Sequence, residues 1–114
     1  IQDFTSLVAK GDQDTVVSVK DVQIECVYDG EPINFDQRKP TPPSQDLKPI
    51  QAYACSLMGW RKDNFLQNMI DLGCAYHGGE GNILFVPIKG FSEIDIDNEE
   101  DFELAESVWR HING

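Results

Sequence analysis

The short acidic stretch Glu93-Ile94-Asp95-Ile96-Asp97-Asn98-Glu99-Glu100-Asp101-Phe102 restricts the fold more than any other part of the chain, because its hydrophobic period changes partway along. Ile94 and Ile96 alternate with Asp95 and Asp97, so an extended backbone sets the isoleucines on one face and the carboxylates on the other. From Asn98 onward the period lengthens. Phe102, Ala105, Val108, Trp109 and Ile112 recur at steps of three and four, the stripe of an amphipathic helix. The pattern predicts a strand that runs straight into a helix. Two carboxylates one pleat apart at the carboxyl end of that strand can grip a hard divalent cation from one side, leaving its other octahedral positions to phosphates and water, as Mg²⁺ prefers.

Other readings of the same residues stay open. Asp97-Asn98-Glu99-Glu100 has the form of a capping box, with Asp97 as N-cap and Glu100 reaching back. Eight of the fourteen residues from position 93 to 106 are acidic, which also suits a solvated charged face. An EF-hand loop is excluded. Asp95, Asp97, Glu99 and Glu106 fall at its positions 1, 3, 5 and 12, but Glu100 stands where its sharp turn needs glycine.

With 114 residues and 40% apolar content, the chain is of single-domain size and long enough to bury a modest core. A net charge of −11 argues against nucleic-acid binding, which relies on Lys and Arg. Five of the nine basic residues, Arg38, Lys39, Lys48, Arg61 and Lys62, lie in the middle, where an anionic substrate would find cations. Cys26, Cys55 and Cys74 form no CxxC motif, so buried reduced thiols in a cytoplasmic protein are expected. Cys74 and His77 alone are too few ligands for zinc. No apolar run approaches a membrane span and no signal peptide opens the chain. Because Ile1 begins what reads as mid-element, further sequence is expected upstream.

In chain order, residues 2–10 read as a short helix with Phe4, Leu7 and Val8 on one face and Gly11 as its stop. Thr15-Val16-Val17-Ser18-Val19 reads as a central strand. A hairpin is expected next: Val22, Ile24, Cys26 and Tyr28 alternate, Asp29-Gly30 gives a type I′ turn, and Ile33 and Phe35 lie on a return strand that Pro32 marks as an edge. Residues 38–49 hold four prolines and read as an extended loop, either a linker or a basic arm over a cleft. Residues 52–60 read as a buried strand. Residues 61–74 read as a helix that buries Phe65, Met69, Ile70 and Leu72, with Asp63 as a candidate N-cap. His77-Gly78-Gly79-Glu80-Gly81 precedes a strand instead of opening a helix, so it reads as a flexible connection and not a phosphate cradle. Residues 83–88 read as an apolar strand. The alternation of strand and helix in the second half predicts an α/β layer with parallel sheet strands, on which the hairpin is an antiparallel flap, and ligands in such sheets sit beyond the carboxyl ends of the strands.

Several of these pieces, in order, resemble one family. Thr15-Val16-Val17-Ser18-Val19, Gly30-Glu31-Pro32-Ile33-Asn34-Phe35, Ser44-Gln45-Asp46-Leu47, and Ile94-Asp95-Ile96-Asp97 with Glu100-Asp101-Phe102 and Leu104-Ala105-Glu106 are similar to the carboxyl-terminal half of the acylneuraminate cytidylyltransferases, the CMP-sialic acid synthetases. The resemblance implies a partial Rossmann-like nucleotidyltransferase layer across residues 1–114, carrying residues 22–50 as a hairpin-and-loop flap for dimerisation. It implies an enzyme that joins CTP to an acidic sugar and releases pyrophosphate, working as a homodimer. Asp95 and Asp97 match the family's Mg²⁺ ligands, and Gln45 would lie near the sugar. The family's glycine-rich CTP loop has no counterpart in these 114 residues. Ser44 stands where the family commonly has Arg, and Ala54 and Cys55 stand at its Asn-Gly pair, which points to a divergent member with another acidic sugar. The alternative is a non-catalytic module that serves dimerisation or partner binding. Neither reading calls for nucleic acid or a membrane.

Overall fold

Thr15, Val16, Val17, Ser18 and Val19 are all buried, and the sheet forms around them. The computed structural model describes residues 2–90 and 94–114; Ile1, Glu93 and the side chains of Phe4, Val8 and Cys55 lie outside the described residues. The elements are α1 (Gln2–Lys10), β1 (Thr15–Val22), β2 (Val27–Tyr28), β3 (Glu31–Pro32), a 3₁₀ turn (Ser44–Asp46), β4 (Ile50–Trp60), α2 (Lys62–Leu72), β5 (Ile83–Pro87) and α3 (Glu99–Asn113). The fold is mixed α/β. β1 is central in the order β4-β1-β5, antiparallel to β4 and parallel to β5. Parallel strands are expected in the second half, but β4 and β5 run in opposite directions on either side of β1, and the parallel pair is β1 with β5. No α-helix lies between β1 and β4, and a chain that returns without a helical crossover pairs antiparallel.

Asp14 fastens the amino end of this sheet to its neighbours. Its carbonyl accepts from the Arg61 amide at 2.8 Å, and its carboxylate accepts from the Asn82 amide at 3.0 Å and the Arg61 guanidinium at 3.1 Å. The end of β4 and the start of β5 are thereby held at one point. Midway along, the β1–β4 register slips between Val17 and Val19, and the buried Ser18 hydroxyl accepts the Leu57 amide that the slip frees, at 3.0 Å.

The hairpin is much shorter than its alternation predicts. Val22 belongs to β1, and only two residues pair on each side of the turn. Asp29 (φ 50°) and Gly30 (φ 79°) both take the positive φ that a type I′ turn requires. Beyond the turn, Asn34 replaces strand pairing with its side chain. Its Oδ1 accepts from the Cys26 amide at 2.8 Å, and its Nδ2 donates to Ile24 O at 2.9 Å and Lys48 O at 3.1 Å. Ile24, Val27, Tyr28 and Ile33 stay exposed.

α2 turns over the expected burial. Met69, Ile70 and Leu72 are exposed, and the one fully buried residue of the helix is Asn68. Hydrogen bonding outweighs the hydrophobic stripe here: Asn68 Nδ2 donates to Gly78 O at 3.2 Å, and its Oδ1 accepts from the Glu80 amide at 3.0 Å. Asn64 Nδ2 adds a bond to Glu80 O at 2.9 Å. The glycine-rich segment is thus pinned to α2 instead of being a free connection. A Cβ on Gly79 (φ 41°) would stand 2.7 Å from Asn68, so close packing requires glycine there. Gly73 (φ 74°) ends α2 as expected, but Asp63 is not its cap; Arg61 holds that position, without a side-chain bond.

The chain is open for its length. Its radius of gyration is 17.6 Å, against about 13 Å for a compact domain of this size. Much of the apolar stripe of α3 faces outward, with Phe102, Trp109 and Ile112 all more than half exposed. Among the thiols, Cys26 is half-buried and Cys74 exposed, contrary to the expectation of buried cysteines. Substituting Asn68→Ala should lower unfolding free energy by about 1–3 kcal/mol, and hydrogen exchange should quicken selectively at residues 78–80. Unchanged exchange there would show that the loop holds its shape without α2.

Candidate functional site

Lys20, Gly90, Ile94, Asp95, Asp97, Asp101 and Leu104 line an open cavity of about 400 Å³. Lys20 comes from the carboxyl-terminal part of β1, and Gly90 lies three residues beyond β5. The cavity therefore sits at the carboxyl end of the parallel pair, where the topology of an α/β sheet leaves room for ligands.

The segment that carries Asp95 and Asp97 is not a strand. Residues 94–96 have no regular structure and residues 97–98 bend into α3. Alternation alone does not make a strand, since a strand needs a neighbour to pair with, and β5 and β4 are the only partners of β1 among the described residues. Asp95 and Asp97 nevertheless line the same cavity.

The helix cap is displaced by one residue from its expected place. Asn98 is the N-cap of α3, and its Oδ1 accepts from the Asp101 amide at 2.9 Å. Asp101 Oδ2 reaches back to the amides of Asn98 at 3.3 Å and Asp97 at 3.0 Å. Asp97 and Glu100 thus do not form the capping box. One physical reason is that asparagine and aspartate cap about equally well, so spacing does not choose between neighbours. The Asp97 carboxylate takes no part in the cap. Among the described residues, neither it nor the Asp95 carboxylate has a hydrogen-bond or ion-pair partner. Lys20 likewise forms no ion pair with any described residue.

Gln45 is elsewhere. It lies on the 3₁₀ turn, where its carbonyl accepts from Gln23 Nε2 at 2.7 Å, and it does not line the acidic cavity. A second cavity of about 240 Å³ lies beside this turn, between Asn34, Asp36, Lys39, Asp46 and Lys48. At its edge the Arg38 guanidinium, 3.0 Å from Asp36, holds the Asp36 carboxyl below its ordinary range, with the Arg38 amide adding to the effect. His77 sits apart from both cavities, its Nδ1 3.3 Å from the Tyr53 hydroxyl.

Two Asp carboxylates suit Mg²⁺, which is commonly held by one or two carboxylates with water and phosphate oxygens completing the shell. No group of three or more His, Cys, Asp or Glu side chains gathers as a metal site among the described residues. The donor set fits an ion shared with a substrate and not a fully protein-built cage. The spacing of the acidic run did not flag Lys20. Its position directly after the apolar 15–19 run was a usable signal, because that is the carboxyl end of a central strand.

No family model matches the chain, and no curated protein or solved structure does either. In urea unfolding, Asn98→Ala should cost about 1 kcal/mol. Asp97→Ala should cost less than about 0.5 kcal/mol, as expected of an exposed side chain outside a cap. Equal losses would return Asp97 to a capping role.

Proposed function

We propose that this chain contributes to Mg²⁺-dependent nucleotidyl transfer, in which the cytidylyl group of CTP passes to an acidic sugar and pyrophosphate is released. The observation that carries this reading is the cavity shared by Asp95, Asp97 and Lys20, with both aspartate carboxylates free of hydrogen-bond and ion-pair partners among the described residues. Asp95 and Asp97 would hold the ion. When bound, it would supply charge neutralisation for a triphosphate and for the departing pyrophosphate. Lys20 would contact a phosphate oxygen from the strand side of the cavity. Asp101 would fix the turn that presents Asp97, through its bonds to the Asp97 and Asn98 amides. In this reading the base and ribose of the nucleotide are held by residues outside these 114.

The resemblance behind this proposal also assigns residues 22–50 to contact with a second copy. The exposed Ile24, Val27, Tyr28 and Ile33 on that flap support such a contact, since association would cover them. The same exposure, with the open shape, favours a second reading in which the chain is a non-catalytic interaction module.

The test compares Asp97 with the cap residue Asn98. In the complete protein, Asp97→Asn should reduce formation of the CMP-sugar about tenfold or more with an unchanged melting temperature. Asn98→Ala should lower the melting temperature and leave turnover at the permissive temperature within about twofold. Wild-type turnover in Asp97→Asn, or no CTP- and Mg²⁺-dependent product from the complete protein, would favour the module.

A further inference from the structure

The opposite end of the sheet carries a separate concavity of about 320 Å³, lined by Trp60, Lys62, Phe65, Leu66 and Tyr76. Trp60 closes β4 and pairs with Thr15 at the amino end of β1, so this concavity and the acidic cavity lie at opposite ends of the central strand. Its volume is at the lower edge of the roughly 300–1,000 Å³ found for small-molecule sites. Three rings form its walls. Phe65 stands edge-on to Trp60 at 5.7 Å and 74°, and Tyr76 is tilted against it at 5.8 Å and 46°. The indole N–H is already satisfied, donating to Tyr76 O at 3.1 Å. That bond fixes the Trp60 ring and leaves it only apolar surface to offer. Tyr76 and Leu66 remain about half exposed, so the space opens to solvent.

The charge that lines this space has one sign, although Asp63 of the same helix turn lies next to it in sequence. Lys62 is its only charged lining residue, and it has no ion-pair partner among the described residues. Lys62, Phe65 and Leu66 come from the first turns of α2, whose N–H groups receive no side-chain cap. The Arg61 guanidinium that precedes them is committed to Asp14 and Gly11 O. Rings on three sides favour a flat apolar group. An unpaired ammonium beside an uncapped helix start favours a negative charge at its edge. We propose that this pocket binds a small planar aromatic molecule bearing a carboxylate or similar anion, with the ring system against the surface that Trp60, Phe65 and Tyr76 form and the anion toward Lys62. A cationic ligand of the kind held by aromatic cages would have to sit against the Lys62 ammonium.

The indole N–H signals of the two tryptophans give the test, because Trp109 is on the exposed face of α3 and serves as an internal control. In ¹H–¹⁵N spectra of the 114-residue chain, with peaks assigned through Trp109→Phe, titration with 2-naphthoate should shift the Trp60 signal saturably and leave that of Trp109 in place. The neutral 2-naphthamide should bind roughly three- to tenfold more weakly, the size of one exposed charge interaction. Lys62→Gln should remove that difference while leaving the amide's affinity unchanged. Tyr76→Ala, at an exposed position, should weaken both probes with the rest of the spectrum retained. Equal affinity for acid and amide in the wild-type chain would overturn the proposal, as would parallel shifts of both tryptophans or no saturation. So would a Trp60 signal that changes with protein concentration alone, which would assign the pocket to a second copy.

Discussion

Pairing of β1 on both of its edges is the constraint on which the remaining structure depends. Its residues 15–19 are buried on both faces, hydrogen-bonded to β4 on one side and to β5 on the other. Burial of Val16, Val17 and Val19 supplies the main apolar gain of this small core, at about 25 cal/mol per Å² of surface removed from water. Asp14 then fixes where β4 ends and β5 begins, and so decides which way each leaves the sheet. At one end the chain leaves β5 for Gly90 and the acidic turn. At the other, Trp60 and the first turns of α2 meet Tyr76.

The parts of this arrangement that were legible in the sequence are those set by local chemistry. The β-branched run at 15–19 required a central strand, Gly11 and Gly73 marked helix ends, and Asp29-Gly30 marked a tight turn. The illegible parts are those where a side-chain amide displaces the usual backbone or apolar solution. Asn34 stands in for most of a hairpin, and Asn68 docks α2 on the 78–80 segment while its apolar stripe faces out. Periodicity reports which residues share a face, but not whether anything covers that face.

The acidic junction shows the same division. The change of period placed the start of α3 to within one residue, and Asp95 and Asp97 line one cavity. It misjudged the backbone, which is a bend, and the cap, which is Asn98 with Asp101. The displacement has a chemical consequence: it is Asp101 that commits one carboxylate oxygen, Oδ2, to the amides, leaving the whole Asp97 carboxylate available. Gln45, by contrast, is drawn toward Gln23 at the base of the 22–50 flap, and its backbone serves as an anchor for that loop.

A titration with Mn²⁺, which broadens nearby amide signals, tests whether this acidic turn is a cation site. Selective broadening of residues 94–98 and of Lys20 at low metal-to-protein ratio, reversed by excess Mg²⁺ and lost in Asp97→Asn, is the result the account predicts. Uniform broadening along the carboxylates of α3 from Glu99 to Glu106, unaffected by Asp97→Asn, would contradict it and leave the run as a solvated charged face.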